Sequence, residues 1–324
     1  MVYADDKLPA KKTGACLTST RLNNKIRFMP DLNNDSGNKI IKRKPKIGVV
    51  IGGGGLKCLA AVSLFEFLDE AGIDIDLMVG CSGGAIMTAL RGAGFNPVQM
   101  RDAITQSLNK KLFSSIDFRS IAGIAGLPFG RFDKSSGILN SKPIRQMYHR
   151  IFGDLKLEDL KPRTILQATD YQTGESVILQ KGLVADAVYA SGVWFPILSP
   201  ICIEGRWFID GSYNSHVPVM EAVKRDMDIV IVMMFEEKVD PDPKGFINCY
   251  YNVNNTMTRA LDRSQMSLSI DLDPYEIVII DVLFDKVIPI WGVDEVPGVL
   301  EAGRKAVDQN KEEILSYIRE FSEI

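Results

Sequence analysis

Two apolar runs in this chain end in glycine-rich turns and pass directly into helix-like sequence, and that repeated arrangement leaves few folds open. Lys46 to Ile51 reads as a buried strand that runs into Gly52, Gly53, Gly54 and Gly55. An amphipathic helix follows, with apolar Leu56, Leu59, Ala60, Leu64, Phe67, Leu68 and Ala71 recurring at helical spacing. The second run, Leu77-Met78-Val79, leads into Gly80-Cys81-Ser82-Gly83-Gly84 and then into helix-like sequence from Ala85 to Arg91. Further apolar runs at Thr164 to Ala168, Ile229 to Phe235 and Glu276 to Ile280 alternate with helical stretches, and Val299 to Phe321 reads as a closing amphipathic helix. Alternation of this kind predicts an α/β fold, a single three-layer domain whose mostly parallel central sheet is covered on both faces. With 324 residues, 46% of them hydrophobic, the chain can bury one large core.

Each turn carries its own chemical implication. Four glycines feeding a helix start expose backbone amides and the positive end of a helix dipole, which suits a phosphate or a developing oxyanion. The phosphate readings fail on spacing. A P-loop needs Gly-Lys-Ser/Thr, whereas Lys57 stands between Leu56 and Cys58. The third glycine of a dinucleotide fingerprint would fall on Lys57 or Cys58. An oxyanion loop and a merely tight strand-to-helix crossover both remain. In the second turn, a G-x-S-x-G pentapeptide between strand and helix presents Ser82 on a sharp bend as a candidate nucleophile, although such clusters are also ordinary loop sequence. A third segment, Trp207-Phe208-Ile209-Asp210-Gly211-Ser212, ends an apolar strand on a carboxylate followed at once by glycine. Such a carboxylate can face a cleft at the carboxyl edge of a sheet, or simply open a turn.

Taken together and in this order, the three segments resemble the patatin-like phospholipase family. Its glycine-rich oxyanion motif corresponds to Gly53, Gly54, Gly55, Leu56 and Lys57, with Cys58 in place of the last glycine. Its G-x-S-x-G motif is matched in full by Gly80 to Gly84. Its D-G-G/A motif corresponds to Asp210-Gly211-Ser212, with Ser212 at the small position, and the usual downstream proline is Pro218. The resemblance runs from about Lys46 to Ile324. It implies a patatin-like domain over 46–324 in which Ser82 and Asp210 form a catalytic dyad and Gly53, Gly54 and Gly55 an oxyanion hole. Lys57, Gly80, Gly84 and Gly211 support these motifs, and neither metal nor cofactor is required. The activity implied is hydrolysis of fatty-acyl esters of phospholipids or lysophospholipids through a covalent acyl-enzyme. Acyl transfer from the same intermediate is one alternative, and a non-catalytic lipid-binding scaffold is another.

Histidine supply bears independently on mechanism. His149 and His216 are the two histidines of the chain, and a Ser-His-Asp triad needs a histidine that reaches the serine. His216 follows Asp210 by six residues and His149 lies in the helical stretch Ile144 to Ile151, so both read as surface or capping residues. That leaves direct proton transfer from Ser82 to Asp210. Zinc-protease, paired-cysteine and EF-hand spacings do not occur in the sequence. Cys81 beside Ser82 reads as a buried supporting residue.

Charge and apolar patterning complete the expectations. The first 46 residues hold eleven Lys or Arg against four Asp, in a chain of net charge −3, and residues 1–45 read as a basic, flexible extension. Lys42, Arg43, Lys44 and Lys46 form a basic patch suited to anionic head groups. The acidic body argues against nucleic-acid binding. No apolar run is long enough to cross a bilayer and no secretory signal is evident, so a cytoplasmic protein with peripheral membrane association is expected. Five cysteines at 16, 58, 81, 202 and 249 form no framework, which points to a reducing compartment. Between the two site segments, Leu112 to Asn140 intersperses Phe113, Phe118, Ile121, Ile124, Leu127, Phe129 and Phe132 with glycines, as a lid, an acyl-chain pocket or ordinary core would. Trp194, Phe195 and Pro196 are candidates to line the same cleft.

Overall fold

The computed structural model describes residues 43–271, 276–290 and 292–323. Eight strands among them form one sheet: β1 (Ile47–Ile51), β2 (Leu77–Cys81), β3 (Arg163–Asp170), β4 (Ser176–Leu179), β5 (Ile201–Ile203), β6 (Arg206–Asp210), β7 (Ile229–Glu237) and β8 (Glu276–Phe284). Neighbouring strands run β5-β6-β3-β2-β1-β7-β8, with β4 paired to β3. The five strands from β3 to β8 along this path are parallel, whereas β4, β5 and β6 pair antiparallel. The parallel core was expected from the apolar runs. Strands β4 and β5 were not, because they carry no long apolar run of their own, and β6, expected as an apolar strand ending on Asp210, was not expected to pair antiparallel.

Side chains of the central strands divide between two apolar clusters with the period of two that a pleated strand imposes. Ile47, Val49 and Ile51 of β1 and Ile229, Ile231 and Met233 of β7 enter the larger cluster, while Val50, Val230 and Val232 enter the smaller. Both faces are therefore covered, which is why these strands read as unbroken apolar runs rather than alternating ones. Each fully buried Val, Leu or Ile contributes about 1.5–3 kcal/mol relative to exposure.

Nine helices among the described residues cover the sheet: α1 (Ala61–Glu70), α2 (Gly83–Gly92), α3 (Pro97–Ser107), α4 (Phe118–Ile124), α5 (Lys142–Phe152), α6 (Val184–Ser191), α7 (Val219–Val223), α8 (Gly245–Asp271) and α9 (Val296–Glu323). Helices α1, α2, α3, α5, α6 and α9 supply the larger cluster through residues such as Phe65, Leu90, Met100, Met147, Tyr189 and Ile314. Helix α7 supplies Val219 and Ala222 to the smaller. The helix expected from Leu56 begins as a 3-10 turn, Gly55–Ala60, before α1 continues it.

Strand register brings two chain ends together. Gln167 and Ala168 are consecutive residues of β3. Gln167 pairs with Cys81, the last residue of β2, and Ala168 pairs with Asp210, the last residue of β6. Both β3 residues also pair with β4, so β2 and β6 must share the opposite edge of β3. Strand β3 thus outruns β2, and β6 enters antiparallel where β2 stops. The carboxyl ends of β2 and β6 meet head to head.

Residues 1–42 of the expected basic extension lie outside the described residues. Of its basic patch, Arg43 donates to both carboxylate oxygens of Asp228 at 2.5 and 2.8 Å, and Lys44 contacts Asp74 at 3.3 Å. These two cations are engaged by the domain itself. No helix among the described residues is long and apolar enough to cross a membrane.

Candidate active site

Ser82 follows β2 directly and precedes α2, so the chain must turn sharply at this one residue. Its backbone takes φ 51° and ψ −121°, a left-handed conformation that a non-glycine side chain rarely adopts and that costs on the order of 1–3 kcal/mol. Neighbouring contacts hold the turn. The Ser82 amide donates to Ser191 Oγ at 2.9 Å, and that hydroxyl donates onward to the Gln167 carbonyl oxygen at 2.6 Å. Gly84 lets α2 approach the end of β1, since a Cβ there would sit 2.2 Å from the Ile51 carbonyl oxygen. The motif glycine is thus a packing requirement.

The head-to-head strand ends place Ser82 Oγ 2.7 Å from Asp210 Oδ2, across a sequence separation of 128, with the hydroxyl donating. The other carboxylate oxygen accepts the Ser212 amide at 2.8 Å. Asp210 is 6% exposed. Burial raises its carboxyl above the ordinary range, while the Ser212 and Ser82 donors and the neighbouring His216 imidazole oppose the rise. A raised carboxyl is a stronger base once ionised, which suits proton transfer from a hydroxyl.

The glycine loop divides its amides. Gly52 N–H donates to the Met233 carbonyl at 3.0 Å and Gly53 N–H to the His216 carbonyl at 2.9 Å. Gly53 therefore differs from the expectation for an oxyanion donor, because its proton is already engaged. Gly54 and Gly55 line the cavity beside Ser82, and so does Gly83, the first residue of α2. Gly55 and Gly83 each open a helical turn, where the first amides have no acceptor within the turn. Gly83 was missed as a candidate, although its place directly after the serine at a helix start is the signal that would have found it.

Cys58, the departure from the usual glycine, is accommodated. Its Sγ donates to the Gly52 carbonyl at 3.4 Å, bracing the loop from within. Lys57 is buried, and its Nζ lies 3.2 Å from Glu237 Oε2. Burial lowers its ammonium pKa, with Glu237 opposing. Glu237 also accepts from Tyr251 Oη, from Asn255 Nδ2 at 2.7 Å and from the Ile288 amide at 3.0 Å, so this ion pair ties the glycine loop to β7 and α8. At Gly211 a Cβ would meet the Gln167 carbonyl oxygen at 2.5 Å, and at Gly80 a Cβ would meet Thr88 Oγ1 at 2.2 Å.

The two histidines part company. His149 is a surface residue, as expected, with Nε2 3.2 Å from Asp186. His216 is not: it lines the cavity, and its Nδ1 lies 2.8 Å from Asp262 Oδ2 on α8. Its ring packs on Gly53, where a Cβ would fall 2.7 Å from Nε2. Sequence reasoning missed this pairing because Asp262 is 46 residues away on a helix whose position only packing sets. Ser191 went unnoticed for the same reason. Cys81 is fully buried and burial pushes its thiol well up, which fits a supporting role rather than a nucleophile.

A cavity of about 270 Å³ has Ser82 and Asp210 in its wall and is otherwise largely apolar, with Leu59, Met87, Ile144, Met147 and Ile197 among its lining. Of the residues expected for a lid or pocket, Phe113 and Trp194 line it. Phe132 and Phe195 instead pack on each other, with ring centroids 6.3 Å apart. Phe118, Ile121, Ile124, Leu127 and Phe129 are exposed. Among the described residues, no cluster of three or more His, Cys, Asp or Glu has the geometry to hold a metal ion. A hydroxyl bonded to a buried carboxylate, beside unpaired helix-start amides and an apolar channel, can accept an acyl group from an ester with a hydrocarbon chain.

The family model for patatin-like phospholipases matches residues 49–223. Lysophospholipase nte1 of Emericella nidulans is 25% identical over 205 residues, covering 62% of this chain and 12% of its own. Lysophospholipase NTE1 of Debaryomyces hansenii is 26% identical over 205 residues with the same coverage. The chain thus spans 12% of the length of these curated relatives. Among solved structures, VipD from Legionella pneumophila superposes with a TM-score of 0.49 at 12% identity, covering 82% of this chain and 66% of that one. Human GIVD cytosolic phospholipase A2 gives 0.49 at 10% identity, covering 86% and 63%.

Proposed function

The chain belongs to the patatin-like phospholipase family, and from that premise we propose that it hydrolyses fatty-acyl esters of phospholipids or lysophospholipids through Ser82 and Asp210. The observation that carries this reading is the 2.7 Å hydrogen bond from Ser82 Oγ to Asp210 Oδ2 in the wall of an apolar cavity. Ser82 Oγ attacks the ester carbonyl carbon as its proton passes to Asp210 Oδ2. Charge developing on the carbonyl oxygen is met by the amides of Gly54, Gly55 and Gly83, each donor being worth about 3 kcal/mol by analogy with other oxyanion holes. Asp210 then returns the proton to the departing alcohol oxygen as the carbon–oxygen bond breaks. In the second half, Asp210 takes a proton from water, the water oxygen attacks the Ser82 ester, and the fatty acid leaves as Ser82 Oγ is reprotonated.

Direct proton transfer to a carboxylate is feasible here because Asp210 is both buried and oriented. The Ser212 amide fixes one of its oxygens, which leaves the other aimed at Ser82. The apolar wall suits the hydrocarbon part of a fatty-acyl ester. Lysophospholipase relatives support the substrate class.

The test is hydrolysis of a fatty-acyl ester in mixed-lipid vesicles, with products read by mass spectrometry. Ser82→Ala and Asp210→Asn should each lower turnover by about 10³-fold or more while leaving the thermal transition cooperative. Wild-type turnover by Ser82→Ala would refute the proposal. A fluorophosphonate probe should label the wild type and not Ser82→Ala.

A further inference from the structure

Helix α8 is amphipathic in the inverted sense. Tyr251, Asn254, Asn255 and Thr258 line the cavity, so its polar side faces inward. Phe246, Val253, Met257 and Leu261 recur at helical spacing on the other side and are exposed, Met257 by 61%. A helix in water ordinarily presents the opposite pattern. The segment 110–134 repeats the anomaly. Its exposed apolar side chains are Phe118, Ile121, Ile124, Leu127 and Phe129, with Phe118 at 77% and Phe129 at 73%.

These two elements are neighbours. Phe132 packs on Phe195, whose carbonyl oxygen accepts from Tyr250 Oη, and Tyr250 stacks on Phe246 with centroids 5.8 Å apart. They also border one cavity. Phe113 and Leu139, just inside and just beyond the first element, line the cavity together with Ile247 and Tyr251 of α8.

Charge indicates what covers them. Segment 110–134 contains Lys110, Lys111, Arg119, Arg131 and Lys134 against Asp117 and Asp133, a net of +3 in a chain of net −3. All five cations are exposed. Asp117 is engaged in capping α4 through the Arg119 and Ser120 amides, and Asp133 is bound to Arg131. Lys110, Lys111 and Arg119 have no ion pair among the described residues. Apolar side chains ringed by cations match an anionic lipid surface, where the chains enter the acyl boundary and the cations meet head groups.

We propose that segment 110–134 and the outer side of α8 together form the docking surface for an anionic bilayer, holding the cavity mouth against the lipid. This inference rests on the lipid-hydrolase reading for its purpose but not for its test. The full chain is co-sedimented with vesicles of non-hydrolysable ether lipids, either phosphatidylcholine alone or an equimolar mixture with phosphatidylglycerol. Wild type should partition at least about tenfold more strongly onto the anionic vesicles. The double variants Phe118→Ser/Phe129→Ser and Phe246→Ser/Met257→Ser should each lower that partitioning about tenfold. Lys110→Glu/Lys111→Glu should remove most of the preference for anionic lipid. Because these side chains are exposed, the variants should keep the wild-type thermal midpoint and, on a soluble short-chain ester, turnover within about twofold. Undiminished vesicle binding by both apolar variants would overturn the docking surface. So would a self-association of the wild type, seen by sedimentation velocity, that the same variants abolish. A wild type that binds vesicles yet hydrolyses no ester sinks the enzymatic reading and leaves this one standing.

Discussion

Ser82 occupies a left-handed backbone conformation that its own side chain disfavours, and the surrounding residues maintain it through one hydrogen bond to Ser191 and one to Asp210. The strain has a use. A serine in a relaxed strand or helix would point along a sheet face or lie on a helix side, whereas here its Oγ stands clear at the meeting of two strand ends. His216 is the residue whose part in the chemistry most needs separating from its part in the packing. Its imidazole is held by Asp262, and its carbonyl oxygen engages the Gly53 amide. In the direct dyad it supports the glycine loop but takes no proton from Ser82. His216→Ala should therefore reduce kcat by no more than about 10²-fold, read on a fatty-acyl ester. A loss beyond about 10⁴-fold is what removing a general base produces, and would make the site a triad.

At the scale of elements, the site exists because β3 is longer than β2. Its overhang receives β6, and the two carboxyl ends converge. Close approach of the first two βα units is equally necessary, and Gly84 is where α2 nearly touches β1. Gly84→Ala forces a Cβ to within 2.2 Å of the Ile51 carbonyl oxygen, which no flexible side-chain end can relieve. That substitution should cost about 3 kcal/mol and lower the thermal midpoint by about 6 °C or more, measured by calorimetry. These junctions were legible in the sequence because a steric demand for glycine leaves a mark at fixed positions. Strand β6 was legible as a strand ending in an acid, but not as antiparallel, since pairing partners are chosen by the edge that β3 leaves open. Helix α8 left little trace, because its apolar residues face outward and its polar residues face the cavity.

For the whole molecule, the site is a standing cost to stability. The Asp210 carboxyl is raised above its ordinary 3.8 by burial. Between the unfolded and folded values, the folded state therefore holds a proton that the unfolded chain has lost. The stabilisation from that protonation is complete below the ordinary value, and it disappears as pH rises through the folded one. Above the folded value a buried carboxylate remains. Asp210→Asn keeps an acceptor for the Ser212 amide and removes the charge, so it should raise the thermal midpoint at pH values above the folded one, with the advantage shrinking as pH falls toward 3.8. An advantage that grows on acidification would contradict this assignment of the cost to desolvation.

Sequence alone determined the parallel α/β core, the two glycine junctions and the candidacy of Ser82 and Asp210, because burial on both sheet faces and steric exclusion of side chains act locally and write themselves into residue type. Tertiary structure decided the rest. Which glycine amides stay unpaired, that Asp262 reaches His216, that Ser191 braces the turn and that α8 faces its polar side inward all depend on contacts between segments far apart in the chain. Such contacts are set by strand register and helix packing, which a local pattern of residues does not encode.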